Sequence, residues 1–177
     1  MVRETTPYYW EFLGRKYWPS LGPGYNAGLI LFHLKRIRSI NWESVWSDSL
    51  QYLSSKLVEL PTAEQDVLNR IAHVHGHTLH DLPCTWNVQL GAFSDVTLCP
   101  VTWSLTSKAA NTVKSTNTKE LKLIHFNAHL KPEDVQPKRF RWLKPNIDSR
   151  AVMKFDLVRK YFIVYNAFRE LPQSCWS

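Results

Sequence analysis

The sequence predicts an α/β fold, because apolar segments typical of strands alternate along the 177-residue chain with segments of helical periodicity. A nearly uninterrupted apolar run at 25–34 favours a buried strand. Apolar residues at spacings of three and four favour helices at 41–57 and 60–76. A second apolar segment at 121–126 and a helical pattern at 149–171 continue the alternation. With 44% hydrophobic and 21% charged residues, the composition fits a globular domain with a core.

The N-terminal half begins with a loop punctuated by Gly-Pro-Gly, which leads into the strand at 25–34. The helix at 41–57 has Asn41 as its predicted N-cap. The helix at 60–76 is predicted to begin with a capping box between Thr62 and Gln65 and to end before Gly76.

The C-terminal half is predicted to be less regular. We expect a short strand at 77–83, an extended segment at 84–90, and a surface loop at 104–120 that is rich in Ser, Thr, Asn and Lys. The strand at 121–126 follows. Three prolines then make 130–146 irregular, and an amphipathic helix at 149–171 ends before a proline.

A formal net charge of +7 favours anionic partners such as nucleotide phosphates. The basic residues form only short, separated clusters, and no nucleic-acid recognition motif accompanies them, so we expect no nucleic-acid partner. No apolar run is long enough to span a membrane, and the polar, aromatic N-terminus is not a signal peptide. The three cysteines have no C-x-x-C spacing, which argues against a zinc knuckle.

Two polar groups in the N-terminal half are candidates for a site. Asn26 and Gly28 enter the first strand, and their ordinary interpretation is turn chemistry. The run Glu64-Gln65-Asp66 opens a helix, where acidic residues are also explained by the helix dipole. The functional alternative places a carboxylate and an amide at a helix start that points into a cleft.

The C-terminal half contributes His125 and Lys131, which lie at and beyond the end of the strand at 121–126. His125 is either a strand-end histidine satisfied by the backbone or a metal ligand near a phosphate held by Lys131. A single histidine does not make a metal site. The other histidine cluster, at 73–77, alternates across a helix end and is a poor chelate.

Four sequence segments, taken together and in order, identify a protein family far more specifically than any single residue within them. The segments "WPSLGPGYNAG", "EQDVLN", "LPCTWNVQL" and "IHFN" resemble the glycogenin-like retaining glycosyltransferases of family eight. Within that family they are most similar to the xylosyltransferase domain of the LARGE-type enzymes. The resemblance covers nearly all of the chain and is weakest at 100–120 and 130–150.

This resemblance implies that residues 1–177 are the C-terminal half of a Rossmann-like GT-A domain whose nucleotide-binding half, with its D-x-D motif, is expected to lie outside the chain. It implies transfer of a sugar, which is xylose by the likeness to the LARGE-type domain, from a UDP-sugar donor to a glycan or glycoprotein acceptor. It also implies Mn²⁺ and the Golgi lumen, as part of a membrane-anchored enzyme. The alternative is a catalytically inactive remnant that binds a glycan or a partner.

The resemblance also assigns roles at the strand end. His125 is expected to be a Mn²⁺ ligand that joins the D-x-D aspartates, and Lys131 is expected to bind the diphosphate. A cation and a lysine there would stabilise the charge that develops on the leaving diphosphate.

In the N-terminal half, the resemblance implies that Asn26 contacts the donor sugar or the acceptor cleft. Glu64 and Gln65 are expected to be catalytic residues beside the reacting sugar, and Asp66 to bind substrate. Glu64 departs from the family pattern, which has aspartate there, and its side chain is one methylene longer.

The family pattern also carries two cysteines at the spacing of Cys84 and Cys99. In an oxidising lumen these would pair and close a short loop. The alternative is two separate buried thiols.

Overall fold

The structure, a computed structural model, describes residues 1–91, 93–103, 119–127, 131–134, 149–172 and 174. The chain forms two compact units, Met1–Asn87 and Val88–Ser177. The loop predicted at 104–120 and the irregular segment predicted at 130–146 lie mostly outside the described residues. The mixed α/β class predicted from the sequence is confirmed.

The first unit is mainly helical. Its helices and strands, in chain order, are β1 (Val2–Arg3), α1 (Pro7–Tyr9), α2 (Arg15–Tyr17), β2 (Tyr25–Asn26), α3 (Leu34–Ser39), α4 (Trp42–Ser54) and α5 (Glu64–Val74). A π-helical turn at Trp10–Gly14 joins α1 to α2. Strand β1 pairs antiparallel with β2, with Val2 opposite Asn26. Buried aromatic residues from 9–25 pack with residues of α4 and α5 to form the core.

Helix α4 confirms the prediction made from its periodicity. Asn41 is its N-cap, and the Asn41 side chain accepts a hydrogen bond from Ser44 N at 3.3 Å. Helix α4 packs against α5 and buries Leu53 completely.

The predicted capping box of the next helix is wrong. The residue before α5 is Ala63, which has a φ of 47° and makes no side-chain cap. Thr62 bonds instead to Asp66, through its backbone N at 2.9 Å and its hydroxyl at 2.5 Å. Asp66 replaces Gln65 as the partner because the Gln65 amide bonds instead to Glu4 and to Ala27 N.

The strand predicted at 25–34 is wrong beyond its second residue. The Asn26 side chain accepts a hydrogen bond from Gly28 N at 2.8 Å, which turns the chain out of β2. Leu31 and Phe32 are exposed and line a cavity of about 660 Å³ in this unit. The short strand predicted at 77–83 is also wrong: its first residues belong to a 3-10 turn, Gly76–Thr78. Beyond Asn26, and at 77–83, no strand pairing forms among the described residues.

The described residues of the second unit form two short parallel strand pairs and a long helix. Strand β3 (Val88–Gln89) pairs with β6 (Ile124–His125), and β4 (Val101–Thr102) pairs with β5 (Lys119–Glu120). The helix α6 (Ser149–Arg169) confirms the prediction at 149–171, and the chain reaches Pro172 soon after it ends.

Helix α6 is less amphipathic than predicted. It buries Leu157, Phe162 and Asn166, but it also exposes Ile163 and Phe168. Apolar side chains are therefore not confined to one face of this helix.

Cys84 and Cys99 are both disulfide-bonded, so the alternative of two free thiols is wrong. Within the described part of the chain, no helix has the length and apolar character needed to cross a membrane.

Candidate functional site

Two of the predicted site residues of the first unit meet at one carboxylate. Asn26 Nδ2 and Gln65 Nε2 both donate to Oε2 of Glu4, each at 3.0 Å. All three side chains are buried, with exposures of 4%, 8% and 5% respectively. The sequence predicted Asn26 and Gln65 separately, and the fold brings them together around an acid that the sequence analysis did not single out.

The carbonyl ends of the same two amides hold the turn that leaves β2. Ala27 N donates to Gln65 Oε1 at 2.9 Å, and Gly28 N donates to Asn26 Oδ1 at 2.8 Å. Asn87 Nδ2 also donates to Asn26 Oδ1, at 2.8 Å. Because each amide donates at one end and accepts at the other, its orientation is fixed by its neighbours.

Glu4 is held by its own segment of chain. Its second carboxylate oxygen, Oε1, accepts from Thr5 N at 2.8 Å and from Thr6 N at 2.9 Å. The carboxylate therefore joins the N-terminal segment to β2 and to α5. Glu4 was missed because its neighbours in the sequence are two threonines and a proline, which read as a loop, and all of its distant partners depend on tertiary contact.

A second polar layer lies beside this cluster. Tyr9 OH donates to Asp66 Oδ1 at 2.9 Å, and Asn69 Nδ2 donates to the Tyr25 carbonyl at 2.8 Å. Burial, followed by the charge of Asp66, raises the pKa of Tyr9. Asn69 Oδ1 also accepts from Tyr25 N at 2.7 Å, and a Cβ on Gly24 would lie only 2.8 Å from that oxygen. Glycine is required there by this contact and by its φ of 74°.

The three side chains of the run Glu64-Gln65-Asp66, at the start of α5, differ in burial. Gln65 and Asp66 are buried, whereas Glu64 is exposed. Successive residues on a helix point about 100° apart, so Glu64 and Gln65 do not share a face. Asp66 is wholly buried, and its carboxylate is taken up by Thr62 and Tyr9. The catalytic role of Glu64 and the substrate role of Asp66 stay predictions.

Two buried polar atoms near these layers have no hydrogen-bond partner among the described residues. They are Oδ1 of Asn87 and Nε1 of Trp18. Asn87 is 1% exposed and donates its other amide group to Asn26.

The other two predicted residues lie in the second unit. His125 is on β6, opposite Gln89 of the parallel strand β3. Lys131 immediately precedes a 3-10 turn, Pro132–Asp134, that packs against α6. Both residues are half-buried.

Tyr161 of α6 contacts the chain next to His125. Its ring stacks on Phe126, the residue after His125, with centroids 4.8 Å apart and planes 4° from parallel. Burial raises the pKa of Tyr161, and the nearby charge of Glu133 raises it further. Phe126 and the turn that follows Lys131 therefore both contact α6, and the roles of His125 and Lys131 stay predictions.

The described residues do not form a complete site for the Mn²⁺ that the resemblance implies. No group of three or more His, Cys, Asp or Glu side chains within the described ranges could hold a metal ion. His125 is thus at most one ligand, and the described residues alone do not fit a complete site.

Comparison with known proteins gives a family match. The model of glycosyl transferase family 8 matches residues 12–132, a range that takes in all of the predicted site residues and stops short of Glu4.

Individual relatives are xylosyl- and glucuronyltransferases. The chain is 34% identical to mouse LARGE2 over 111 residues, which is 63% of this chain and 14% of that protein. It is 36% identical to human LARGE2 over 111 residues, or 63% of this chain and 13% of that protein. It is 32% identical to zebrafish LARGE2s over 113 residues, or 64% of this chain and 13% of that protein. The matched segment therefore spans a small part of each relative's length.

Proposed function

We propose that this chain, which belongs to glycosyl transferase family 8, forms part of an enzyme site that transfers xylose from UDP-xylose to a glycan acceptor with retention. The donor sugar is proposed from the likeness of the chain's four motifs to the xylosyltransferase domain of the LARGE-type enzymes, and the printed names of the relatives include xylosyl transfer. By the same likeness, we propose that the enzyme works in the Golgi lumen.

The observation that carries this proposal is the Glu4 cluster. Asn26 and Gln65 are 39 residues apart in the chain, yet one buried carboxylate holds both amides. This arrangement fixes the turn after β2 against the start of α5. In the proposed enzyme, that turn and the N-terminus of α5 line the sugar, and Gln65 lies nearest the reacting carbon.

The strand end in the second unit supports the same reaction. When the sugar is transferred, the bond from its anomeric carbon to the diphosphate breaks and UDP leaves with the electron pair. The acceptor hydroxyl oxygen forms the new bond to that carbon and releases its proton. Lys131 would stabilise the negative charge that develops on the diphosphate oxygens. Because the described residues supply His125 alone as a ligand, the Mn²⁺ requirement is proposed from the family resemblance, and we derive no step through the metal.

A binding role without catalysis is the second candidate. It is favoured by the exposure of Glu64, which leaves the family's acidic position outside the Glu4 cluster. A protein of this kind would still bind a glycan or a partner.

The test is a transfer assay on the full-length protein that contains this chain, with UDP-xylose, a glycan acceptor and Mn²⁺. We expect xylose on the product and a higher Mn²⁺ requirement in His125→Ala. His77→Ala, which changes an exposed histidine, is the matched control. Unchanged metal dependence in His125→Ala would reject the role of His125. Binding of UDP-xylose without transfer would favour the second candidate.

A further inference from the structure

The position of His125 depends on the end of the neighbouring strand. Leu90 N, the first amide beyond β3, donates to the His125 carbonyl at 2.9 Å. In the parallel pair, Val88 N donates in the same way to Leu123 O at 2.9 Å. Whatever holds residues 90 and 91 therefore also holds the backbone of His125.

A lysine from α6 holds this point. Lys154 Nζ donates to the Gly91 carbonyl in a short hydrogen bond and to the Ser94 carbonyl at 3.0 Å. Lys154 is half-buried, and this burial lowers the pKa of its ammonium, while the charge of Asp95 opposes the shift. A half-buried ammonium directed at two main-chain carbonyls is a costly arrangement, which a simple surface lysine does not need.

Gly91 also lies against the side chain of Asn127. A Cβ on Gly91 would lie 2.4 Å from Oδ1 and 3.1 Å from Cγ of Asn127. The Asn127 carboxamide thus lies directly on the Gly91 backbone, where only glycine leaves room for it. Asn127 lies two residues beyond His125 and just outside β6.

Helix α6 supports the residue between them as well. Phe126 stacks on Tyr161 and meets Phe162 edge-on, with centroids 5.5 Å apart. Helix α6 therefore contacts Phe126 directly and reaches the residues on either side of it through Gly91 and Leu90.

From these contacts, we propose that Lys154 is a positioning residue that fixes His125 at the carboxyl end of the β3–β6 pair, acting through Gly91 and Leu90. The inference deepens the proposed function, on which the role of His125 rests. Lys154 itself touches no reacting group. Its bonds to Gly91 and Ser94 order the segment after β3, from which Leu90 N donates to the His125 carbonyl.

The experiment compares Lys154→Met with Lys154→Arg in the 177-residue chain. The control is Lys160→Met, because Lys160 lies on the same helix and pairs within it, with Asp156 at 2.7 Å. The readouts are amide hydrogen exchange at Leu90 and the ¹⁵N resonances of the His125 ring.

We expect Lys154→Met to lower protection of the Leu90 amide about tenfold and to shift the His125 resonances, because a hydrogen bond from a charged donor is lost. Lys154→Arg should retain most of the protection, and Lys160→Met should change neither readout. If Lys154→Met does not fold, Lys154→Gln, which keeps a donor on a side chain one bond shorter, should show the same loss at Leu90. Unchanged protection and unchanged His125 resonances in a folded Lys154 variant would overturn the proposal, as would a loss spread evenly over the unit.

A second arm separates this proposal from the function on which it rests. In the full-length enzyme, Lys154→Met should lower kcat for xylosyl transfer and leave the KM for UDP-xylose nearly unchanged. If the exchange result holds but the unmodified protein transfers no xylose, the positioning role stands and the proposed function fails.

Discussion

Replacing Glu4 by glutamine should disconnect the cluster that joins the N-terminal segment, β2 and α5. Glutamine keeps the shape of the side chain but retains one oxygen, so an NH₂ group replaces the other. Oε1 of Glu4 accepts hydrogen bonds from two backbone amides, and Oε2 accepts from the side-chain amides of Asn26 and Gln65. In Glu4→Gln, one of these donor pairs must face another donor.

The magnitude follows from the two hydrogen bonds lost. A hydrogen bond to a charged acceptor contributes roughly 1.5–3 kcal/mol, and a buried donor left without a partner costs about as much. Because contributions within one network are not additive, we expect a total of about 3 kcal/mol from two bonds. That corresponds to roughly a hundredfold change in an opening equilibrium.

The assay is urea unfolding of the 177-residue chain, followed by hydrogen exchange at Ala27 and Gly28. These two amides donate to Gln65 and Asn26, so their protection reports whether the cluster is intact. Glu59→Gln is the matched control, because Glu59 is exposed.

Two outcomes would refute the reasoning. The first is equal stability of the Glu4 and Glu59 variants. The second is a double-mutant cycle between Glu4→Gln and Gln65→Met that shows no coupling, because residues that share a hydrogen bond must couple.

Three further predictions concern turnover, redox state and pH. Lys131→Ala in the full-length enzyme should lower xylosyl transfer about 10²-fold, because the leaving diphosphate loses a charge partner, whereas Lys122→Ala should not; equal rates would reject the role. Reduction of the disulfide-bonded Cys84 and Cys99 should lower stability by about 3 kcal/mol, and peptide mass spectrometry without reductant should find the two cysteines linked to each other. Burial, and then the charge of Asp66, raise the pKa of Tyr9 above its usual value of about 10. The contribution of Tyr9 to the free energy of unfolding should therefore be fully present below about pH 10 and fall as the pH rises further. Tyr9→Phe should make that fall smaller in urea unfolding measured across this pH range.

The helices show what local sequence can determine. The residue patterns at 41–57 and 149–171 predict α4 and α6 to within a few residues, because every backbone hydrogen bond of a helix closes between residues close together in the chain. The cap at Asn41 is local for the same reason, since its partner is three residues away.

The motifs determined family and candidate residues, but not which residues meet. Asn26 and Gln65 were identified one by one from their sequence context. Their meeting requires Glu4, which lies 22 residues before one and 61 before the other. No local pattern marks an acid whose partners are this distant.

Strand pairing was decided only in three dimensions. Residues 25–34 have the composition of a buried strand, yet pairing ends at Asn26, where the side chain bonds to Gly28 N and turns the chain. Residues 121–126 have a similar composition, and Ile124 and His125 do pair, because β3 lies beside them and Lys154 holds its end. A strand's hydrogen bonds all go to another segment, so apolar composition makes a strand possible and only the tertiary structure supplies the partner.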